Sequence, residues 1–152
     1  MDPGDDGFDA DDWLRSFREG DKIADPATPY GRDGRLRNPV VDETFAMAGV
    51  VMDYCERLEQ RNRLFAEQIL ASGTSVGSHT REAQGAESLA DFVHKIKIRY
   101  KEREETDYRL SLCHSKPNYP HDQDLVVRVK RLYPLFSSIL STSEQRLRDR
   151  RK

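Results

Sequence analysis

From Val41 onward the apolar positions recur with a helical period. Val41, Phe45, Ala48, Met52 and Cys55 are separated by steps of four, three, four and three, and Leu58 continues the row, a spacing that gathers side chains on one helix face. It predicts a first helix over roughly 40–60 with that row turned to the core. A second helix, near 62–84, carries Phe65, Ile69, Ser72, Val76, His79 and Ala83 and contains the small-residue run Ala71–Ser78, with Gly73 and Gly77 one turn apart. Glycines inside a helix each cost about 1 kcal/mol relative to alanine, so their presence predicts a close approach of another backbone. Gly85 stops this helix, Ser88 caps the next, and Leu89, Phe92, Ile96, Tyr100 and Leu110 run along a third helix to about Ser115. After a loop containing Pro117 and Pro120, Asp122 caps a fourth helix bearing Leu125, Val129, Leu132, Phe136, Ile139 and Ser143. Pro134 lies inside it and is expected to kink it. Four helices with short or moderate connections pack most economically as an all-α, antiparallel up-down-up-down four-helix bundle, here over 39–146, with a tail at 147–152.

Residues 1–38 break this pattern. They are rich in Asp, Gly and Pro, with turn signals at Asp25-Pro26, Thr28-Pro29 and Asp33-Gly34, and read as an arm outside the bundle. Within the arm, Asp11 or Asp12 is placed to cap a short helix near 11–19 that puts Trp13, Leu14 and Phe17 on one side, with Phe8 just before it. These four are the candidate partner-binding residues.

Composition supports a single core. The chain has 152 residues, 36% of them hydrophobic and 34% charged, enough apolar surface for one compact unit plus an appended segment. No apolar run is long enough to cross a membrane, and the acidic start is unlike a secretory signal, so the expected location is cytoplasmic. Cys55 and Cys113 lack a second pair for a zinc knuckle and read as reduced core residues. The net charge of −2 is uneven: residues 1–38 hold ten acids against six bases, whereas Arg146–Lys152 holds five bases and one acid.

The polar residues suggest a structural network before they suggest chemistry. Glu102 and Glu105 share a face of the third helix, and with Glu82 on the second they form the main acidic set. Carboxylate-bridged metal centres in bundles need paired Glu-x-x-His motifs; here His79 and Glu82 run in the reverse order and no second pair exists. Partnership with Arg81, Arg99, Arg103 or Arg109 is the simpler reading. No cofactor, metal or catalytic residue is assigned, and no phosphate-binding loop, dinucleotide fingerprint or nucleophile elbow occurs. The bases at 95, 97, 99, 101 and 103 spread around the helix axis and are diluted by acids, which favours a solvated face over a phosphate-binding patch.

The strings Gln68–Gly77, Arg81-Glu82-Ala83, Lys101-Glu102 and Glu105–Leu110 resemble the bacterial four-helix bundle proteins first found encoded in intervening sequences of large-subunit ribosomal RNA genes. More distant relatives are the accessory variability determinants of diversity-generating retroelements. The resemblance covers residues 38 to about 145 and implies a small homo-oligomer, commonly a ring of five, without established catalysis. The retroelement relatives bind a reverse transcriptase and nucleic acid through a strongly basic surface; this chain departs from them, because its bundle carries only a small positive charge beside an acidic arm. Ser78-His79-Thr80 departs from the small residues and asparagine more common there.

The expected function is therefore a non-enzymatic oligomeric adaptor that binds itself and a protein partner, the latter through the arm. The alternative is a nucleic-acid-associated accessory protein, working with RNA or a reverse-transcriptase complex through Lys97, Lys101, Arg146, Arg148, Arg150 and Arg151. A metal-dependent bundle enzyme is the third reading.

Overall fold

A computed structural model describes residues 38–152. It contains α1 (Pro39–Glu59), α2 (Arg63–Ala83), α3 (Leu89–His114) and α4 (Gln123–Asp149). Each helix opens on a side-chain cap. Asn38 Oδ1 accepts from the Val40 and Val41 amides at 3.1 and 3.4 Å, and Pro39 follows where a missing N–H is harmless. Asn62 accepts from Phe65 at 3.0 Å, Ser88 from Asp91 at 3.1 Å and Asp122 from Leu125 at 2.9 Å. Each cap is worth about 1 kcal/mol, and two of the four, Ser88 and Asp122, are those the sequence indicates.

The short connections force antiparallel neighbours. α1 packs on α2, α2 on α3, α3 on α4, and α4 closes the ring against α1. The all-α four-helix bundle expected from the periodicity is thus the observed fold. The α4 row is buried throughout: Leu125, Val129, Leu132, Phe136 and Ile139, with Ser143 beyond them. Pro134 sits within α4 on its exposed side. The Lys130 carbonyl it deprives of a partner therefore faces water, and the helix continues. It runs to Asp149, past the expected limit, because Leu147 still packs against the core. Cys55 and Cys113 are free and buried, as expected of core thiols.

The core face of α1 differs from expectation. Its buried residues are Val40, Thr44, Met47, Val51, Tyr54, Cys55 and Leu58, whereas Phe45 is 72% exposed and Met52 54% exposed. The helix carries two apolar rows, and the one interrupted by Thr44 and Tyr54 faces inward. Both polar groups are satisfied there: Thr44 Oγ1 donates to the Val41 carbonyl at 3.1 Å, and the Tyr54 hydroxyl donates to the Pro120 carbonyl at 3.0 Å. Shape decides the choice. A Cβ added at Gly73 would lie 2.8 Å from Val51 Cγ2, and one at Gly77 would lie 3.2 Å from the Thr44 carbonyl oxygen. The glycine-bearing face of α2 therefore accepts the Thr44–Val51 edge of α1 and no bulkier one.

Gly73→Ala should lower stability by about 1–2 kcal/mol despite alanine's better helix propensity, because the methyl meets a β-branched side chain with little freedom to move. Chemical denaturation of Gly73→Ala, Val51→Ala and the double variant measures it. The double variant should be clearly more stable than the sum of the single losses predicts; strict additivity would mean that the contact does not set the helix spacing.

Candidate functional site

Two arginines occupy the interior. Arg99 and Arg103 on α3 are 5% and 4% exposed, and they continue the inward row Ile96, Arg99, Arg103, Thr106, Leu110, Cys113 at steps of three and four. That periodicity was present in the sequence, hidden by the usual surface preference of arginine. Arg103 Nε donates to the Val129 carbonyl at 2.9 Å, and its guanidinium pairs with Asp107 at 3.4 Å and with Glu104. It also lies over the Tyr133 ring, 5.4 Å from its centroid, a cation–π arrangement. Its stem fills core volume while its head ties α3 to the stretch of α4 just before Pro134.

Arg99 enters the acidic set expected from the sequence, which the structure reduces to Glu102. Glu102 takes Arg99 Nη1 at 3.4 Å and His79 Nδ1 at 3.3 Å, joining α2 to α3. Below it, Thr106 Oγ1 donates to the Glu102 carbonyl at 2.8 Å and lies 2.9 Å from Ser72 Oγ. Glu105 is exposed and pairs with Arg109 at 3.2 Å. Glu82 is exposed, and no bond to its carboxylate joins it to this network among the described residues. The expected arginine partners are thus found for Glu102 and Glu105, but the three acids do not form one network, because Glu82 and Glu105 lie on the outward faces of their helices. Among the described residues, no three His, Cys, Asp or Glu side chains meet in an arrangement able to hold a metal ion.

A second cluster closes the end of the bundle where α1 meets the α3–α4 loop. Asn62 Nδ2 donates to the Tyr119 hydroxyl at 3.2 Å, and Arg57 pairs with Asp122. The Asp122 amide donates to His114 Nε2 at 3.2 Å, and the His114 and His121 rings stack with centroids 4.8 Å apart. Burial pushes the Cys55 thiol up to about 11 and raises Cys113 too. Both are thiols at neutral pH, the inert form.

The surface carries the remaining candidates. Phe45 and Met52 are exposed on the outer side of α1, while Val41 and Ala48 in the same row are half-buried; a Cβ added at Gly77 would lie 3.8 Å from Ala48 Cβ. Of the basic residues, Lys97 is bound to Glu144 at 2.6 Å and Arg148 to Gln145 at 2.9 Å. Lys101, Arg146, Arg150 and Arg151 are exposed. The antiparallel order brings the first turns of α3 and the last turns of α4 to the same end. Phe8, Trp13, Leu14 and Phe17 lie outside the described residues. Among the described residues no helix is long and apolar enough to cross a membrane.

One solved structure, from Bacteroides thetaiotaomicron, shares 31% identity with this chain at a TM-score of 0.62, covering 66% of this chain and 97% of the other. It is described as a protein with unknown function from the S23 ribosomal protein family. No protein-family model matches the chain, and no curated protein matches it.

The His114 contact has a pH consequence. Burial, joined by the neighbouring His121, holds His114 below its ordinary value of 6.5, so the unfolded chain takes up this proton more readily than the fold. Its contribution is complete above about pH 6.5 and is lost as pH falls towards the lowered folded value. His114→Gln, which keeps an acceptor for the Asp122 amide, should flatten the dependence of the urea midpoint between pH 7.5 and 5.5. An unchanged slope would show that His114 does not contribute to it.

Proposed function

This chain belongs to the S23 ribosomal protein family, and we propose that it acts as a non-enzymatic, homo-oligomeric four-helix scaffold that presents its N-terminal arm to a protein partner. The observation that carries self-association is the exposed row on α1, in which Phe45 and Met52 are 72% and 54% exposed. Single exposed apolar residues are ordinary, but two large ones two turns apart on one helical face, with half-buried Val41 and Ala48 beside them, mark an interaction surface. The resemblance to the intervening-sequence proteins supports a ring of five. A non-catalytic role fits the protonated core cysteines and the absorption of Glu102 into an ion-paired network. A cytoplasmic location goes with this reading, since buried free thiols suit a reducing compartment.

A nucleic-acid role is the second reading, favoured by the convergence of the α3 start with the basic end of α4. Lys97 counts against it, because Glu144 already neutralises that ammonium.

Light scattering at micromolar concentration tests the first reading. The expected mass is five times 17.6 kDa, and Phe45→Glu combined with Met52→Glu should reduce it to that of one chain with the helical circular dichroism retained. A monomeric mass for the unaltered protein would sink the proposal. For the second reading, a single-stranded RNA shift that weakens steeply with added salt would be required.

A further inference from the structure

The acidic arm and the basic end of the bundle leave the molecule at the same place. Asn38, where the described chain begins, is fixed as the α1 cap, and its Nδ2 donates to Gln84 Oε1 at the end of α2 at 2.9 Å. The antiparallel order puts the start of α3 and the end of α4 at this same end. α3 and α4 have 26 and 27 residues against 21 each for α1 and α2. Hydrogen bonds from Asn62 to Tyr119 and from Tyr54 to Pro120 hold the opposite end level. The surplus of about 8 Å, at 1.5 Å per residue, therefore projects beside Asn38. It presents exposed Arg148, Arg151 and Lys152, while exposed Lys101 lies further along α3, beside the body of the bundle.

We propose that residues 1–17 of this chain dock on this projecting basic end, along the outer sides of α3 and α4, and shield it from other anions. Charge complementarity selects the occupant. Residues 1–12 contain six acids and no base, whereas Arg146–Lys152 contains five bases and one acid. The outer side of α1 is the poorer host, because Asp42, Glu56 and Glu59 flank its apolar row. On α3, Ile98 is exposed beside Lys97 and Lys101 and offers an apolar contact to Trp13 or Phe17. Reach is no obstacle: 26 residues separate Asp12 from Asn38, and a coil of that length would span on average about 25–30 Å, similar to the width of two packed helices at about 20–24 Å. Tethering at that distance gives a local concentration in the millimolar range, so modest contacts suffice.

This contact is independent of the self-association proposed above and competes with presentation of the same residues to a partner, which must displace it; Trp13, the single tryptophan, reports it in the full-length protein. Acrylamide quenching of Trp13 should be clearly below that of a free peptide of residues 1–17 and should rise towards it in about 0.5 M NaCl, where screening shortens to a few ångströms. Arg148→Glu with Arg151→Glu should shift the docking equilibrium roughly tenfold towards the undocked state, by loss of two exposed pairs. Adding Asp11→Lys and Asp12→Lys to that variant should restore protection. Two results overturn the proposal. One is quenching equal to the free peptide in the unaltered protein. The other is protection that survives the charge reversals but disappears in the Phe45→Glu/Met52→Glu variant, which would put Trp13 on the α1 row or on a neighbouring copy. A monomeric mass from light scattering would end the scaffold reading and leave this one standing.

Discussion

The spacing between α1 and α2 depends on a missing atom. Val51 occupies the position where a Cβ on Gly73 would lie, 2.8 Å from its Cγ2, and this close approach fixes the rotation of α1 about its own axis. With Val51 inward, Met47, Tyr54 and Leu58 follow by helical geometry, each fully buried. Phe45 and Met52, about a third of a turn from Val51, must then face outward. The interior packing and the exposed apolar row are two results of one steric constraint, so a substitution that rotated α1 would alter core and surface together.

The opposite side of the bundle solves a different problem. α3 has too few large apolar residues to fill its inward row between Ile96 and Leu110, and Arg99, Arg103 and Thr106 take those places. Buried guanidinium groups are tolerable only when hydrogen-bonded and paired. Arg103 meets that condition with a helix carbonyl, two carboxylates and a tyrosine ring. Arg99 meets it less fully, for its Nε has no partner. The polar layer adds directional contacts where apolar packing alone would leave α3 free to slide, since Glu102 can satisfy His79 and Arg99 together in only one register.

Much of the fold was legible because most of its signals are local. Ser88, Asp122, the prolines of the α3–α4 loop and the single clean row of α4 each point to one structure without knowledge of the rest. α1 was not legible in phase, because both its rows have helical spacing and the choice rests on glycines in another helix. A more apolar row, including Phe45 and Met52, loses to one containing Thr44 and Tyr54 since only the latter fits against α2 and finds acceptors for its hydroxyls. The site was legible in part. Pairing of Glu102 with Arg99 followed from the need to neutralise buried charge, whereas excluding Glu82 and Glu105 required the helix orientations.

The two ends of the bundle are built for different degrees of order. At one end, Asn62–Tyr119, Tyr54–Pro120 and Arg57–Asp122 bind the last turns of α1 and the α1–α2 turn to the α3–α4 loop, crossing between segments distant in sequence, and the Asp122–His114 bond braces that loop. At the other, Asn38–Gln84 joins α1 to α2, Glu43 on the second turn of α1 takes Arg128 and Arg131 of α4, and Lys97–Glu144 joins α3 to α4, each within a pair of neighbouring helices. Exposed ion pairs contribute at most about 1 kcal/mol, so local opening should begin at this second end and spread towards the tied one. That end also carries the charge asymmetry and the point where the arm departs. A segment attached there meets helix termini able to adjust, while the apolar row of α1, held in phase by Val51 and Gly73 near mid-bundle, remains fixed.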